Sequence, residues 1–130
     1  MASQVLPDSN FYINFSRAGI DPFDELVKFE GNFDFITCGM VVLEVLRGCR
    51  DPNILRRFRE RFGIMIHIPT TDQIWERAAQ LAWSLDRQGV ILPAQDIFIA
   101  AHALQTNAAV LTHDAHFSSI PGLRVVDHLD

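Results

Sequence analysis

Two short apolar runs, one near each end of the chain, both end on aspartate, and they constrain the fold more than any other feature of the sequence. Residues 4–8 (QVLPD) form the first run, and residues 109–112 (AVLT) form the second, followed shortly by Asp114. Short, almost wholly apolar runs are typical of buried parallel strands, whose carboxyl ends meet at one edge of a sheet. We therefore expect Asp8 and Asp114 to face each other at that edge.

The segments between these two runs alternate between β-type and helical patterns. This alternation predicts an α/β protein, a single-domain α/β/α sandwich with a mainly parallel central sheet. The Asp-Pro pairs at positions 21 and 51 and a threonine at 70 or 71 are expected helix N-caps. Strands are predicted at 4–8, 33–37, 64–68, 109–112 and 123–126, and helices from 11, at 21–31, 40–48, 51–63, 70–89 and 94–106, with a short helical turn at 114–119.

The bulk composition is that of an ordinary globular protein, with 48% hydrophobic and 21% charged residues among 130. We expect one domain over residues 1–130, with its own core. Residues 1–4 show no signal-peptide pattern, and no apolar run is long enough to span a membrane. With two unclustered cysteines, Cys38 and Cys49, a reducing cytoplasm is the expected location.

Four carboxylates stand where an acid is unexpected. Asp8 and Asp114 follow apolar strands, whereas Glu44 and Asp96 interrupt apolar helices. Any one of them alone could be a helix cap or a partly exposed acid, and Asp96 fits the first turn of its helix. Glu44 is the hardest to explain in this way, because apolar residues flank it on both sides. A buried carboxylate persists when it is paired, protonated or bound to a cation.

A cluster of carboxylate oxygens predicts Mg²⁺, with Mn²⁺ as a possible substitute, and argues against Zn²⁺, which prefers Cys and His. Mg²⁺ usually keeps several waters and binds substrate phosphate through its remaining positions. The four acids therefore predict metal-assisted hydrolysis of a phosphodiester by a metal-activated water.

Four segments in chain order resemble the sequence blocks of PIN-domain nucleases. Residues 5–10 (VLPDSN) resemble the family's opening strand and acid, and residues 43–48 (LEVLRG) resemble its glutamate-bearing helix. Residues 92–104 (LPAQDIFIAAHAL) are similar to its most specific block, and residues 111–123 (LTHDAHFSSIPGL) to its terminal strand, acid and ending. At this length the chain looks most like the small VapC-type toxin endoribonucleases.

That resemblance implies a Mg²⁺-dependent endoribonuclease. Asp8, Glu44, Asp96 and Asp114 would be its catalytic metal ligands, with Ser9 and Asn10 beside them. It also implies an RNA substrate, a homodimer and a small antitoxin partner that silences the toxin by placing a basic side chain in the site. The sequence departs from the family pattern at Pro7, in place of a strand residue, and at His116, where an additional acid is common.

Six of the eleven Lys and Arg residues lie between positions 47 and 61, in a chain whose net charge is −5. The net charge argues against nonspecific coating of nucleic acid. The arginine cluster is either a solvated helix face or a strip that binds RNA phosphates or an antitoxin, with Arg47, Arg57 and Arg59 as its candidate contacts.

Other functions remain open. The chain could be a non-toxin RNA-processing nuclease, or a catalytically silent PIN-like scaffold that binds RNA or protein, although four costly carboxylates argue against the scaffold. A receiver domain would need a lysine late in the chain, and the single lysine is Lys28. A transition-metal site is disfavoured at the histidines of the C-terminal part, which are expected at the surface or beside the site rather than as ligands: His102, His113, His116 and His128.

Overall fold

A computed structural model describes residues 3–129 and shows a five-stranded sheet flanked by helices. All four strand pairings are parallel, and the strand order is β3-β2-β1-β4-β5. The predicted fold class is therefore confirmed. The strands are β1 (Ser3–Pro7), β2 (Phe33–Thr37), β3 (Ile66–His67), β4 (Ala109–Leu111) and β5 (Val125–Val126).

Six α-helices and one 3-10 helix connect the strands. Asp21 and Asp51 cap their helices as predicted, each accepting a hydrogen bond from the backbone N–H two residues later, and Thr71 caps the longest helix. The helices are α1 (Ser9–Arg17), α2 (Pro22–Val27), α3 (Gly39–Arg47), α4 (Pro52–Gly63), α5 (Asp72–Arg87), α6 (Ala94–Thr106) and the 3-10 helix Ala115–Ser119.

The prediction of a buried strand over residues 64–68 is wrong. The strand is reduced to Ile66–His67, and the side chains of Ile64 and Ile66 are 80% and 62% exposed. β3 lies at the edge of the sheet, so its apolar residues are not covered on both faces. An apolar run alone does not distinguish a central strand from an edge strand, because edge position depends on the pairing of distant segments.

Pro7, which departs from the family pattern, does not disrupt the end of β1. It lies in register with Leu111 of β4, and the next residue, Asp8, donates its backbone N–H to the Leu111 carbonyl oxygen at 3.0 Å. Backbone N–H groups alternate sides along a strand. Since the N–H of Asp8 faces β4, the N–H that proline lacks at position 7 would have faced β2. Pairing of β1 with β2 accordingly covers only Ser3 to Val5. The proline thus leaves the β1–β4 contact intact where it delivers Asp8.

His102 lies in the core, so its expected position at the surface or beside the site is wrong. Its ring is fully buried, with Nδ1 2.8 Å from the Phe98 carbonyl oxygen and Nε2 2.8 Å from the Thr70 hydroxyl. A carbonyl oxygen only accepts, so Nδ1 donates and neutral Nε2 accepts from Thr70. Burial lowers the pKa of His102, which favours this neutral form. His102 therefore links α6 to the segment that precedes α5.

The predicted domain covered residues 1–130, and Met1, Ala2 and Asp130 lie outside the described residues, as does part of the N-terminal segment assessed for a signal peptide. One continuous hydrophobic core joins the helices to the sheet. Among residues 3–129, no helix combines the length and apolar character that a membrane crossing requires.

Replacing Tyr12 by Phe should leave the free energy of unfolding within about 1 kcal/mol of wild type. Tyr12 is fully buried among aromatic rings, and its hydroxyl donates only to the weak acceptor Sδ of Met65, at 3.9 Å. Chemical denaturation measures the change, and Phe62→Ala, which opens a cavity in the same cluster, should cost about 3–5 kcal/mol. A loss well above 1.5 kcal/mol in Tyr12→Phe would show that the hydroxyl has a stronger partner.

Candidate active site

The β1–β4 register brings two residues together at the carboxyl edge of the sheet. Pro7 pairs with Leu111, so the residues that follow, Asp8 and Thr112, are neighbours across the two strands. The Thr112 hydroxyl donates to Oδ2 of Asp8 at 3.0 Å and accepts the backbone N–H of Asp114 at 2.9 Å. Thr112 therefore couples the acid that follows β1 to the acid that follows β4.

Asp8 is the most buried carboxylate of the site, with 1% of its surface exposed. As the N-cap of α1, its Oδ1 accepts the backbone N–H of Ser9 at 2.7 Å. The pKa of Asp8 is raised from 3.8 to about 6, mainly by burial and also by the charge of Asp96, while the hydrogen bonds from Thr112 and Ser9 oppose the rise. The fold therefore holds Asp8 in position although burial disfavours its ionised form.

Ser9 joins Asp8 to Glu44, which α3 contributes. The Ser9 hydroxyl donates to Oε1 of Glu44 at 3.1 Å and lies 3.3 Å from Oδ1 of Asp8. Burial is also the main cause of the raised pKa of Glu44; the Asp96 charge adds to it, whereas Ser9 and Arg47 lower it. Ser9 thus lies beside two of the acids, whereas the exposed Asn10 side chain makes no hydrogen bond to them among the described residues.

Asp96 and Asp114 form the other half of the site, with His116 between them. Nδ1 of His116 lies 2.9 Å from Oδ2 of Asp96 and 3.3 Å from Oδ1 of Asp114. Asp114 caps the 3-10 helix by accepting the backbone N–H of His116 at 2.9 Å. Burial raises the pKa of Asp96, and the Asp114 charge raises it further, whereas His116 lowers it. The hydrogen bond to Asp96 in turn raises the pKa of His116.

The two halves interact through Asp96, whose charge raises the pKa of both Asp8 and Glu44. The four acids selected from the sequence come from four separate elements: Asp8 and Asp114 follow β1 and β4, and the charge of Asp96 acts on Asp8 and Glu44. Among the described residues, the group whose ligand atoms all lie within 4.8 Å of one another consists of Asp96, Asp114 and His116. Such an arrangement favours either retained protons or a bound cation, since mutual repulsion and burial both disfavour the fully ionised state.

The three candidate arginines differ in their surroundings. Arg47 is exposed at the end of α3, and its charge acts on Glu44. Arg57 is ion-paired with Asp21, and its Nη2 lies 3.5 Å from Oδ1 of Asp24, so its guanidinium is already engaged by α2 and its cap. Arg59 is exposed, with no ion pair among the described residues. Only Arg47 is coupled to the acidic site.

Sequence reasoning missed the roles of Thr112 and His116. Thr112 was assigned only to the strand, because its importance depends on the register between β1 and β4. A hydroxyl residue directly after an apolar strand, opposite the residue that follows the other strand, is the signal that could have identified it. His116 was expected at the surface or beside the site and as a departure from the family pattern, but its position between two of the acids was not predicted.

The fold and this edge define a class of α/β protein that gathers carboxylates at the carboxyl ends of parallel strands. The PIN domain family model matches residues 5–123, so the chain belongs to the PIN domain family. That span contains all four acids. No curated protein matches the chain.

Several solved structures share the fold at low sequence identity. VapBC2 from Rickettsia felis, bound to a promoter DNA fragment, aligns with a TM-score of 0.78 and 19% identity over 95% of this chain and 97% of that chain. DNA-bound VapBC from Salmonella typhimurium aligns with a TM-score of 0.75 and 22% identity over 97% and 98%. A toxin–antitoxin complex from Klebsiella pneumoniae aligns with a TM-score of 0.70 and 23% identity over 94% and 95%.

Replacing Asp8 by Asn should stabilise the metal-free protein at neutral pH by about 1–2 kcal/mol. The folded-state pKa of about 6 exceeds the ordinary value of 3.8, so the folded state binds more protons than the unfolded state between these values. Wild-type stability should therefore fall as the pH rises through this window, and the penalty should be complete above it. Asp8→Asn should show a shallower fall, because one of the titrating acids is gone.

Thermal and chemical unfolding in EDTA, from about pH 4 to pH 8, measure this effect. Asp34→Asn is the matched control, because Asp34 is an exposed strand acid outside the cluster. If Asp8→Asn were less stable than wild type at neutral pH, the hydrogen bonds to the Asp8 carboxylate would outweigh its burial.

Proposed function

We propose that this PIN domain is a Mg²⁺-dependent endoribonuclease in which Asp8, Glu44, Asp96 and Asp114 hold the metal. The observation that carries the proposal is the convergence of these acids at one edge of the sheet, with the pKa of three of them raised by burial and by neighbouring charge. A site built in this way is stabilised by a divalent cation, which offsets the repulsion without requiring the acids to be protonated.

The donor set fits a hard cation. Carboxylate oxygens are the ligands that Mg²⁺ prefers, and Mn²⁺ accepts the same set. When bound, such an ion lowers the pKa of a coordinated water and offsets charge that develops on the phosphate. Asp8 is the best-positioned ligand, because Ser9 and Thr112 fix both of its oxygens.

Glu44, Asp114 and Arg47 have separate proposed roles in the site. Glu44 is partly exposed and its Oε1 accepts a hydrogen bond from Ser9, so its other carboxylate oxygen would be available to the metal. Asp114 is fixed by Thr112 and by the start of the 3-10 helix. Arg47, whose charge acts on Glu44, would contact a backbone phosphate of the RNA.

The proposed setting is a type II toxin–antitoxin pair in the cytoplasm, with this chain as the toxin. The PIN family match and the similarity to VapBC complexes across nearly the whole chain support it. We take residues 1–130 as one nuclease domain that acts as a homodimer. A partly open acidic site offers an antitoxin a means of inhibition, because a basic side chain inserted there would take the place of the cation.

RNA cleavage assays with added Mg²⁺, added Mn²⁺ or EDTA test this function. Cleavage should require the metal, and Asp8→Asn and Glu44→Gln should each reduce it by at least about a hundredfold, while Asp34→Asn retains wild-type activity. Each variant's melting temperature should be measured alongside, so that loss of folding is not mistaken for loss of chemistry. Cleavage that persists in Asp8→Asn would contradict the site, and a folded protein that cuts no RNA would favour a silent scaffold.

Arg47→Ala should weaken binding of single-stranded RNA and reduce the salt dependence of that binding by about one phosphate contact. Arg59→Ala, on the exposed face of α4, is the control and should bind like wild type. Binding can be measured with the inactive Asp8→Asn background at several salt concentrations. Equal effects of the two substitutions would mean that the arginines act through general charge rather than at the site.

A further inference from the structure

The side chain of His116 lies between two of the proposed metal ligands, Asp96 and Asp114. Its Nδ1 atom faces Asp96 Oδ2 at 2.9 Å and Asp114 Oδ1 at 3.3 Å. One donor atom from each of these three residues lies within 4.8 Å of the other two. Two ligand atoms bound to one transition-metal ion at about 2.0–2.2 Å can be up to about 4.4 Å apart, so a small side-chain adjustment would place all three on one ion.

The surroundings of this cluster suit an ion that keeps part of its water shell. The two carboxylates are largely buried and are fixed by their own elements, whereas the His116 side chain is 47% exposed. Asp114 is further held by Thr112 and by the His116 backbone N–H, contacts that do not involve the imidazole ring. The ring can therefore adjust its position without disturbing the acids, and the solvent side remains open for waters or a phosphate oxygen.

We propose that His116 is a nitrogen ligand to a cation that it shares with Asp96 and Asp114, and that it biases this position towards transition-metal dications such as Mn²⁺ over Mg²⁺. The chemical basis is ligand preference. Mg²⁺ is a hard ion that favours oxygen, whereas imidazole nitrogen is accepted progressively better along the series from Mn²⁺ to Zn²⁺. The inference rests on the proposed function, because it uses two of the same carboxylates.

A competing role for His116 is that of a cationic counter-ion. In that case the protonated ring would neutralise Asp96 and Asp114, exclude the metal from this position and contribute no ligand. The two roles predict opposite effects of removing the ring. Loss of a nitrogen ligand should weaken Mn²⁺ binding, whereas loss of a counter-ion should strengthen it.

Mn²⁺ serves as the probe, in two measurements at about pH 8.5, well above the ordinary histidine pKa of about 6.5, because Asp96 raises the pKa of His116. Electron spin-echo spectroscopy of the Mn²⁺-loaded protein should show coupling to one imidazole nitrogen. The coupling should be lost in His116→Ala and kept in His113→Ala, the matched control, since His113 adjoins Asp114 but contributes no atom to the cluster.

Isothermal titration calorimetry should show that His116→Ala lowers the affinity for Mn²⁺ at least about tenfold while changing the affinity for Mg²⁺ much less. His116→Asp should restore tight binding and shift the preference towards Mg²⁺. Both substitutions keep the backbone N–H that Asp114 accepts, so the 3-10 helix should remain capped.

Failure of this inference can be distinguished from failure of the proposed function. If wild type cuts RNA with Mg²⁺ but its Mn²⁺ complex shows no nitrogen coupling, or if His116→Ala binds Mn²⁺ as tightly as wild type or more tightly, His116 is a counter-ion and only the inference is overturned. If wild type binds neither ion and cuts no RNA, both proposals are wrong.

Discussion

The buried carboxylate of Asp8 is the constraint on which the rest of the site depends. An ionised acid with 1% exposure is tolerated only because the neighbouring structure satisfies both of its oxygens, through the Ser9 backbone N–H and the Thr112 hydroxyl. The first contact requires α1 to begin directly after β1, and the second requires the parallel register of β1 and β4. The start of α1 and the pairing of β1 with β4 thus supply the two groups that hold this side chain.

The other acids add to the unfavourable electrostatic free energy of burying the Asp8 carboxylate. Glu44 shares the Ser9 hydroxyl, and Asp96 raises the pKa of both Asp8 and Glu44. The metal-free fold therefore carries an electrostatic strain that hydrophobic packing elsewhere must offset. Within the cluster, the imidazole of His116 is the basic group placed between two of the acids. A divalent cation would reduce the same repulsion between the acids, so binding of the metal should also raise the free energy of unfolding.

Local signals in the sequence predicted much of this arrangement. Apolar runs ending on acids located β1 and β4, and capping residues located the starts of α2, α4 and α5. Features that depend on distant pairing were not predictable in this way: the edge position of β3, the Thr112–Asp8 contact and the burial of His102. Arg57 illustrates the same limit, since its pairing with Asp21 joins segments far apart in the chain.

Crystallography with Mn²⁺ can test whether the four carboxylates hold a divalent cation. Diffraction collected above and below the manganese absorption edge locates the ion without reference to activity. We expect an anomalous peak at the carboxyl edge of the sheet, within ligand distance of Asp8 and Asp114, about 2.0–2.3 Å. A well-ordered site with no such peak, or a peak bound only by residues outside the four acids, would contradict it.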